Sequence, residues 1–121
     1  MGNRILIVED EVLIREMLKE IFLAIFPEVY TADNGESGLL QYNRIHPDLV
    51  ITDIKMRKMD GLTMIDKIKE INETQKFIVI TAYSDEEHQR RVRKQGIDHL
   101  LVKPIDCRNL IDISKNLLKN V

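Results

Sequence analysis

The sequence predicts an α/β fold: a five-stranded parallel sheet, doubly wound by helices. Three observations predict it. Short apolar, β-rich runs alternate strictly with segments whose apolar residues recur at spacings of three and four. The connections are short, as in successive βα units. The apolar runs also lead into polar residues, Glu9, Asp10, Asp53, Thr81 and Lys103, where strands should end. Right-handed crossovers leave few strand orders for five such units. The common small one is 2-1-3-4-5, the flavodoxin-like (βα)5 arrangement.

Arg4-Ile-Leu-Ile-Val8 is continuously apolar, which suits a strand buried on both faces. A helix follows, with Ile14, Leu18, Ile21, Phe22 and Ile25 on one stripe; Pro27 ends it. Glu28 to Ala32 is less apolar and fits an edge strand. Asn34-Gly35 opens a short helix to about Ile45, which Pro47 closes. Asp48 to Asp53 is the third strand. Asp60-Gly61 is a turn signal, and Leu62, Ile65, Ile68 and Ile71 mark the third helix. Lys76 to Ala82 is the fourth strand. Ser84 or Asp85 can cap a fourth helix, which Gly96 can stop. That helix is very polar between Asp85 and Lys94, with Val92 its clearest anchor, so it should bury little and be mobile. His99 to Val102 is the fifth strand. Asp106 to about Lys119 is the last helix, with Leu110, Ile111, Ser114, Leu117 and Leu118 facing in.

A length of 121 residues is the usual size of one domain, and no linker, repeat or low-complexity stretch divides residues 1–121. A net charge of -2 supplies no global field to hold nucleic acid. No apolar run reaches the length of a membrane span and no signal-peptide pattern opens the chain, so the cytoplasm is the expected location. The lone Cys107 has no partner for an internal disulfide and falls near the buried stripe of the last helix. His46 and His88 lack ligand-spaced neighbours and read as surface residues; Met56, Met59 and Met64 read as core and loop packing.

Open parallel sheets bind ligands at the carboxyl ends of their strands, at the point where strand order reverses. The predicted order makes the first and third strands neighbours there. Glu9, Asp10 and Asp53 then converge, flanked by Thr81 and Lys103. Carboxylates this close repel by a few kcal/mol per pair at an effective dielectric near ~20, and a hard cation such as Mg²⁺ relieves that repulsion. A carboxylate can also act as a nucleophile toward phosphorus, while a hydroxyl and an ammonium bind phosphoryl oxygens. Each residue has a plainer reading. Glu9 and Asp10 suit a helix start, Asp53 a turn, Thr81 a β-branched strand position and Lys103 a surface. Those plain readings must all hold together, at converging strand ends, to displace the chemical one.

Ile5-Leu-Ile-Val-Glu-Asp-Glu11, Asp48-Leu-Val-Ile-Thr-Asp-Ile-Lys-Met56, Met59-Asp-Gly61, Ile80-Thr-Ala82 and Val102-Lys-Pro104 together resemble the receiver domain of bacterial two-component response regulators, in order and over nearly the whole chain. The resemblance implies a phosphoacceptor at Asp53. It implies Mg²⁺ on Glu9, Asp10, Asp53 and the backbone carbonyl of Lys55. Thr81 and Lys103 would contact the phosphoryl group, and the Lys103–Pro104 peptide would be cis. The implied partners are a sensor histidine kinase and an output domain or protein, with later loss of phosphate to water. The implied readout face is the fourth helix, fifth strand and fifth helix, with Ala82, Leu100 and Pro104 on the switch path. The same face is a candidate homodimer contact; Ile113, beside the apolar stripe of the last helix, would either widen it or pack into the core. Lys55 and Tyr83 are the side chains expected to influence phosphate loss.

Three residues depart from the family pattern. The acid pair is Glu9-Asp10 rather than two aspartates, and Arg57 stands where proline is usual. Leu100 occupies the position of the usual aromatic switch residue and has no ring to rotate into the space that Thr81 vacates; His99 has the wrong strand parity to replace it. Rival readings are weaker. A phosphohydrolase using an aspartyl phosphate wants a second acid two residues after its nucleophile, where Lys55 stands. A flavin or nucleotide binder wants glycines and hydroxyls after the first strand, where Glu9-Asp10-Glu11 instead repels an anion unless metal is present. A pseudo-receiver that binds partners without phosphorylation rests on Leu100, against the intact Asp53, Thr81 and Lys103.

Overall fold

The computed structural model describes residues 3–82 and 86–119. Its elements alternate as β1 (Arg4–Val8), α1 (Val12–Leu23), β2 (Glu28–Ala32), α2 (Gly35–Ile45), β3 (Leu49–Asp53), α3 (Gly61–Ile71), β4 (Lys76–Thr81), α4 (Glu86–Lys94), β5 (His99–Val102) and α5 (Cys107–Lys119). The strands form one parallel sheet in the order β2-β1-β3-β4-β5, as the crossover argument predicts.

Strand parity divides the core in two. Leu6, Val8, Val50, Phe77 and Val79 pack on one face with Met64, Ile65, Ile68 and Val92 from α3 and α4. Ile5, Ile7, Leu49, Ile51, Ile78 and Ile80 pack on the other with Leu18, Phe22, Leu110 and Leu118 from α1 and α5. Leu100 joins the first cluster and Leu101 the second. Ile113 packs against the second cluster, so its apolar side chain serves the core. Met64 is buried, and Met56 and Met59 lean on the same core.

Short polar side chains set several helix starts. Asn34 Oδ1 accepts from Ser37 N–H at 2.9 Å, and Asp60 Oδ1 accepts from Thr63 N–H at 2.8 Å. Caps of this kind contribute about 1 kcal/mol each. Gly96 follows α4 with φ +67, the left-handed conformation a helix stop asks for. His46 is exposed, as expected of a surface residue, and also ends α2 in the same left-handed region, with φ 47.

Some boundaries differ from expectation. α1 stops at Leu23, so Ile25 lies beyond the helix and is exposed. β3 starts at Leu49; Asp48 just before it donates its N–H to the Arg4 carbonyl at 2.8 Å and accepts the Arg4 N–H on its carboxylate at 2.7 Å. β4 ends at Thr81, leaving Ala82 exposed beyond it. Asp106 precedes α5 and caps it, with Oδ1 accepting from Asn109 N–H at 3.2 Å. The caps expected at Ser84 or Asp85, Tyr83, and the side chain of His88 lie outside what is described.

Candidate functional site

Register brings the strand ends level. Val8 pairs with Thr52, Asp53 with Ile80, and Thr81 with Val102. The next residues, Glu9, Ile54 and Lys103, therefore leave the sheet along one rim. Glu9 is held by its N–H to the Ala32 carbonyl at 3.0 Å, and Lys103 by its N–H to the Thr81 carbonyl at 2.8 Å. Arg15, one turn into α1, donates to the Glu9 carbonyl at 2.8 Å and fixes the strand-to-helix turn.

The acids meet as the strand order requires. Glu9, Asp10 and Asp53 each offer a carboxylate oxygen, all within 4.8 Å of one another. Lys103 Nζ lies 2.8 Å from Asp53 Oδ2, 3.3 Å from Glu9 Oε1 and 3.4 Å from Glu11 Oε1. The other Asp53 oxygen, Oδ1, accepts from Ile54 N–H at 2.6 Å. Glu9 and Asp53 are buried, Asp10 is half-buried, and Thr81 is fully buried beside them. Pro104 is exposed after a cis Lys103–Pro104 peptide. The side chain of Lys55 is exposed in the loop after β3.

Burial pushes the Glu9 carboxyl up to about 7, helped by the charge of Asp53, while the Glu11 N–H and the Lys103 ammonium pull the other way. Burial works against the Lys103 ammonium, but its hydrogen bond to Asp53 and the charges of Asp53 and Glu9 override this and raise it above the ordinary lysine range. The ammonium is thus a stand-in cation among carboxylates. Hard oxygen donors converging from two neighbouring strands fit a hard divalent ion.

The loop between β3 and α3 is shaped around this rim. Gly61 N–H donates to the Ile54 carbonyl at 2.7 Å, and Gly35 N–H to the Met59 carbonyl at 3.0 Å. Lys58 takes a left-handed φ of 65, and Arg57, in the usual proline position, pairs with Asp33 at 3.6 Å across exposed surface. From sequence alone Arg15 has no role, Gly61 is marked only as a turn residue and Glu11 only as part of an acidic run. Glu11 and Gly61 stood inside the quoted motifs, but their roles depend on contacts that spacing does not encode.

The response regulator receiver domain family matches residues 5–115. The chemotaxis protein CheY of Bacillus subtilis is 34% identical, the alignment covering 97% of this chain and 99% of that one. The regulatory protein AtoC of Escherichia coli is 35% identical over 89% of this chain, which spans only 23% of AtoC's length. The N-terminal domain of a Wolinella succinogenes protein superposes with a TM-score of 0.93 at 37% identity, covering 97% of this chain and 94% of that one. CheY in a CheX–CheY–BeF₃–Mg complex from Borrelia burgdorferi does so with a TM-score of 0.88 at 29% identity, covering 96% and 89%.

Proposed function

The chain belongs to the response regulator receiver domain family, phosphoacceptor modules of two-component signalling, and on that premise we propose that Asp53 is the carboxylate that accepts the phosphoryl group. The observation that carries the reading is the 2.8 Å contact between Asp53 Oδ2 and Lys103 Nζ beside the Glu9 and Asp10 carboxylates. Residues 1–121 act as one receiver unit.

Glu9, Asp10 and Asp53, with the backbone carbonyl of Lys55, would hold Mg²⁺. When bound, the ion neutralises the carboxylates and the incoming phosphoryl charge. An Asp53 oxygen forms a bond to phosphorus as the bond from phosphorus to a histidine nitrogen of a sensor kinase breaks, its electron pair staying on the imidazole. The Thr81 hydroxyl and the Lys103 ammonium each hold a phosphoryl oxygen, which is positioning and charge neutralisation rather than covalent work. The domain itself supplies these groups, so a small phosphodonor also suffices. Water later attacks phosphorus as the Asp53 O–P bond breaks, its electron pair returning to the carboxylate, and inorganic phosphate leaves with the water's oxygen while a proton passes to solvent. The change passes by Ala82, Leu100 and Pro104 toward α4, β5 and α5, where a partner protein or an output domain reads it. The module works in the cytoplasm and does not itself read DNA.

The test is Mg²⁺-dependent modification by acetyl phosphate, mapped by tryptic digestion and mass, with beryllofluoride binding measured on the intact protein. The expected adduct sits on the Asp53 peptide and is absent from Asp53→Asn protein. Equal modification of that variant would reject the assignment.

A further inference from the structure

We propose that Glu11 is a positioning residue that holds the Lys103 ammonium in the unphosphorylated protein and must release it when a phosphoryl group arrives. The proposal rests on the assignment of Asp53 given above.

Glu11 is the N-cap of α1, in the extended conformation at φ -79 and ψ 115, yet its side chain caps nothing. A short acid such as Asp at that position turns back on the first-turn N–H groups, whereas Glu is one methylene longer and is free to reach elsewhere. Asp60 does so at α3. The Glu11 carboxylate instead reaches across the rim to Lys103 Nζ at 3.4 Å, 92 residues away along the chain. Its own N–H donates to Glu9 Oε2 at 3.1 Å, so Glu11 is tied to both ends of the Lys103–Glu9 pair. The Lys103 side chain is 15% exposed and that of Glu11 is 62% exposed, so Glu11 is the solvent-exposed acid of the ammonium's three partners.

The three acids around Lys103 are not equivalent. Glu9 and Asp53 belong to the group whose oxygens converge within 4.8 Å, and Glu11 does not. A cation there would be held by Glu9, Asp10 and Asp53, which would leave Glu11 as the remaining anionic partner of the ammonium. A phosphoryl group on Asp53 then competes with Glu11 for the same N–H donors. Glu11 thereby biases Lys103 toward its unphosphorylated position.

The probe is beryllofluoride, titrated by calorimetry into Mg²⁺-saturated wild-type, Glu11→Gln and Glu11→Asp protein at low salt, with Mg²⁺ binding measured separately. Glu11→Gln removes the charge; Glu11→Asp keeps the charge but withdraws it by one methylene from a contact already at 3.4 Å. Both variants are expected to bind beryllofluoride at least threefold more tightly. Their Mg²⁺ affinity should stay within about threefold of wild type. A gain in Glu11→Gln alone would mean that only the field of the charge matters, and would overturn the positioning role. So would no gain in either, weaker binding, or a tenfold loss of Mg²⁺ affinity, which would make Glu11 a metal ligand. Wild-type protein that binds no beryllofluoride, or Asp53→Asn protein that binds it equally, would overturn the Asp53 assignment and this proposal with it. That result is distinct from failure at Glu11 alone.

Discussion

A Cβ on Gly61 would lie 1.9 Å from the carbonyl oxygen of Asp53, so the start of α3 is packed directly against the backbone of the site's central carboxylate. Only hydrogen fits there. Gly61→Ala must push the loop after β3 away from the rim or displace α3. The expected loss of stability is about 1–3 kcal/mol, the range for forced overpacking. Mg²⁺ affinity should fall as well, because Asp53 moves. Urea denaturation and calorimetry check both; a variant as stable as wild type would mean that the loop yields freely.

The raised carboxyl of Glu9 gives the metal-free protein a pH-dependent stability. Its folded value is about 7 against 4.5 for an ordinary Glu, so the folded state binds more protons between those limits. The associated stability is present below about pH 4.5 and is lost as pH rises through 7, amounting to roughly 3 kcal/mol. Lys103 is shifted upward from 10.5, so its contribution is constant across that window and does not mask the slope. Glu9→Gln should flatten the slope between pH 5 and about 8. Saturating Mg²⁺ should do the same in wild type by keeping the carboxylate ionised. Urea midpoints across pH decide it; an equal slope in Glu9→Gln protein would assign the effect elsewhere.

Much of this was legible before any coordinates. Continuous apolar runs such as Arg4-Ile-Leu-Ile-Val8 report strands covered on both faces, and the crossover rule then places Glu9 beside Asp53. Asp53 and Lys103, 50 residues apart, were paired by topology rather than by any local signal. Contacts that depend on rotamers and loop paths were not legible. Spacing cannot say that Glu11 turns from its own helix toward Lys103, or that Arg15 anchors the Glu9 carbonyl. Nor could it say that His46 adopts a left-handed cap usually given to glycine, since periodicity reports faces rather than backbone angles at helix ends. Leu100 was read as a departure from an aromatic switch; the structure gives it a share in the α3–α4 core.

Lys103 neutralises acids as well as facing the phosphoacceptor. Its side chain is 15% exposed, and those of Glu9 and Asp53 are 3% and 8% exposed, so Lys103→Ala leaves two buried carboxylates without their cation. Breaking a fully buried pair costs ~3–5 kcal/mol, and the partial exposure here argues for about 2–3. The loss should appear in metal-free protein and shrink when Mg²⁺ is saturating, because a divalent ion offsets the same charge. Beryllofluoride should bind this variant without the amide shifts it causes in wild type. Denaturation with and without Mg²⁺, and amide spectra with the mimic, test the two parts. An identical loss under both conditions would show that Lys103 acts through packing of its stem.

Among its described side chains, α4 buries one apolar residue. Val92 is 4% exposed and is its buried apolar side chain among those described, while Arg90, Arg91, Arg93 and Lys94 are exposed. Just past the helix, Gln95 Nε2 donates to the Leu62 carbonyl and to Asp66 Oδ1, each at 2.7 Å, tying this end of α4 to α3. Lys69 Nζ also donates to the Gly96 carbonyl at 3.2 Å, and an element whose described apolar anchor is one small side chain opens locally at lower cost than the sheet. Val92→Ala removes about 2 kcal/mol of burial. Because the helix adds little else, that loss should fall on α4's own opening rather than on global unfolding. Hydrogen exchange across residues 86–95 should accelerate by roughly tenfold or more, with β1, β3 and β4 amides nearly unchanged. A uniform acceleration over the whole chain would mean that α4 unfolds only with the sheet, and that it lacks the independent mobility a switching element needs.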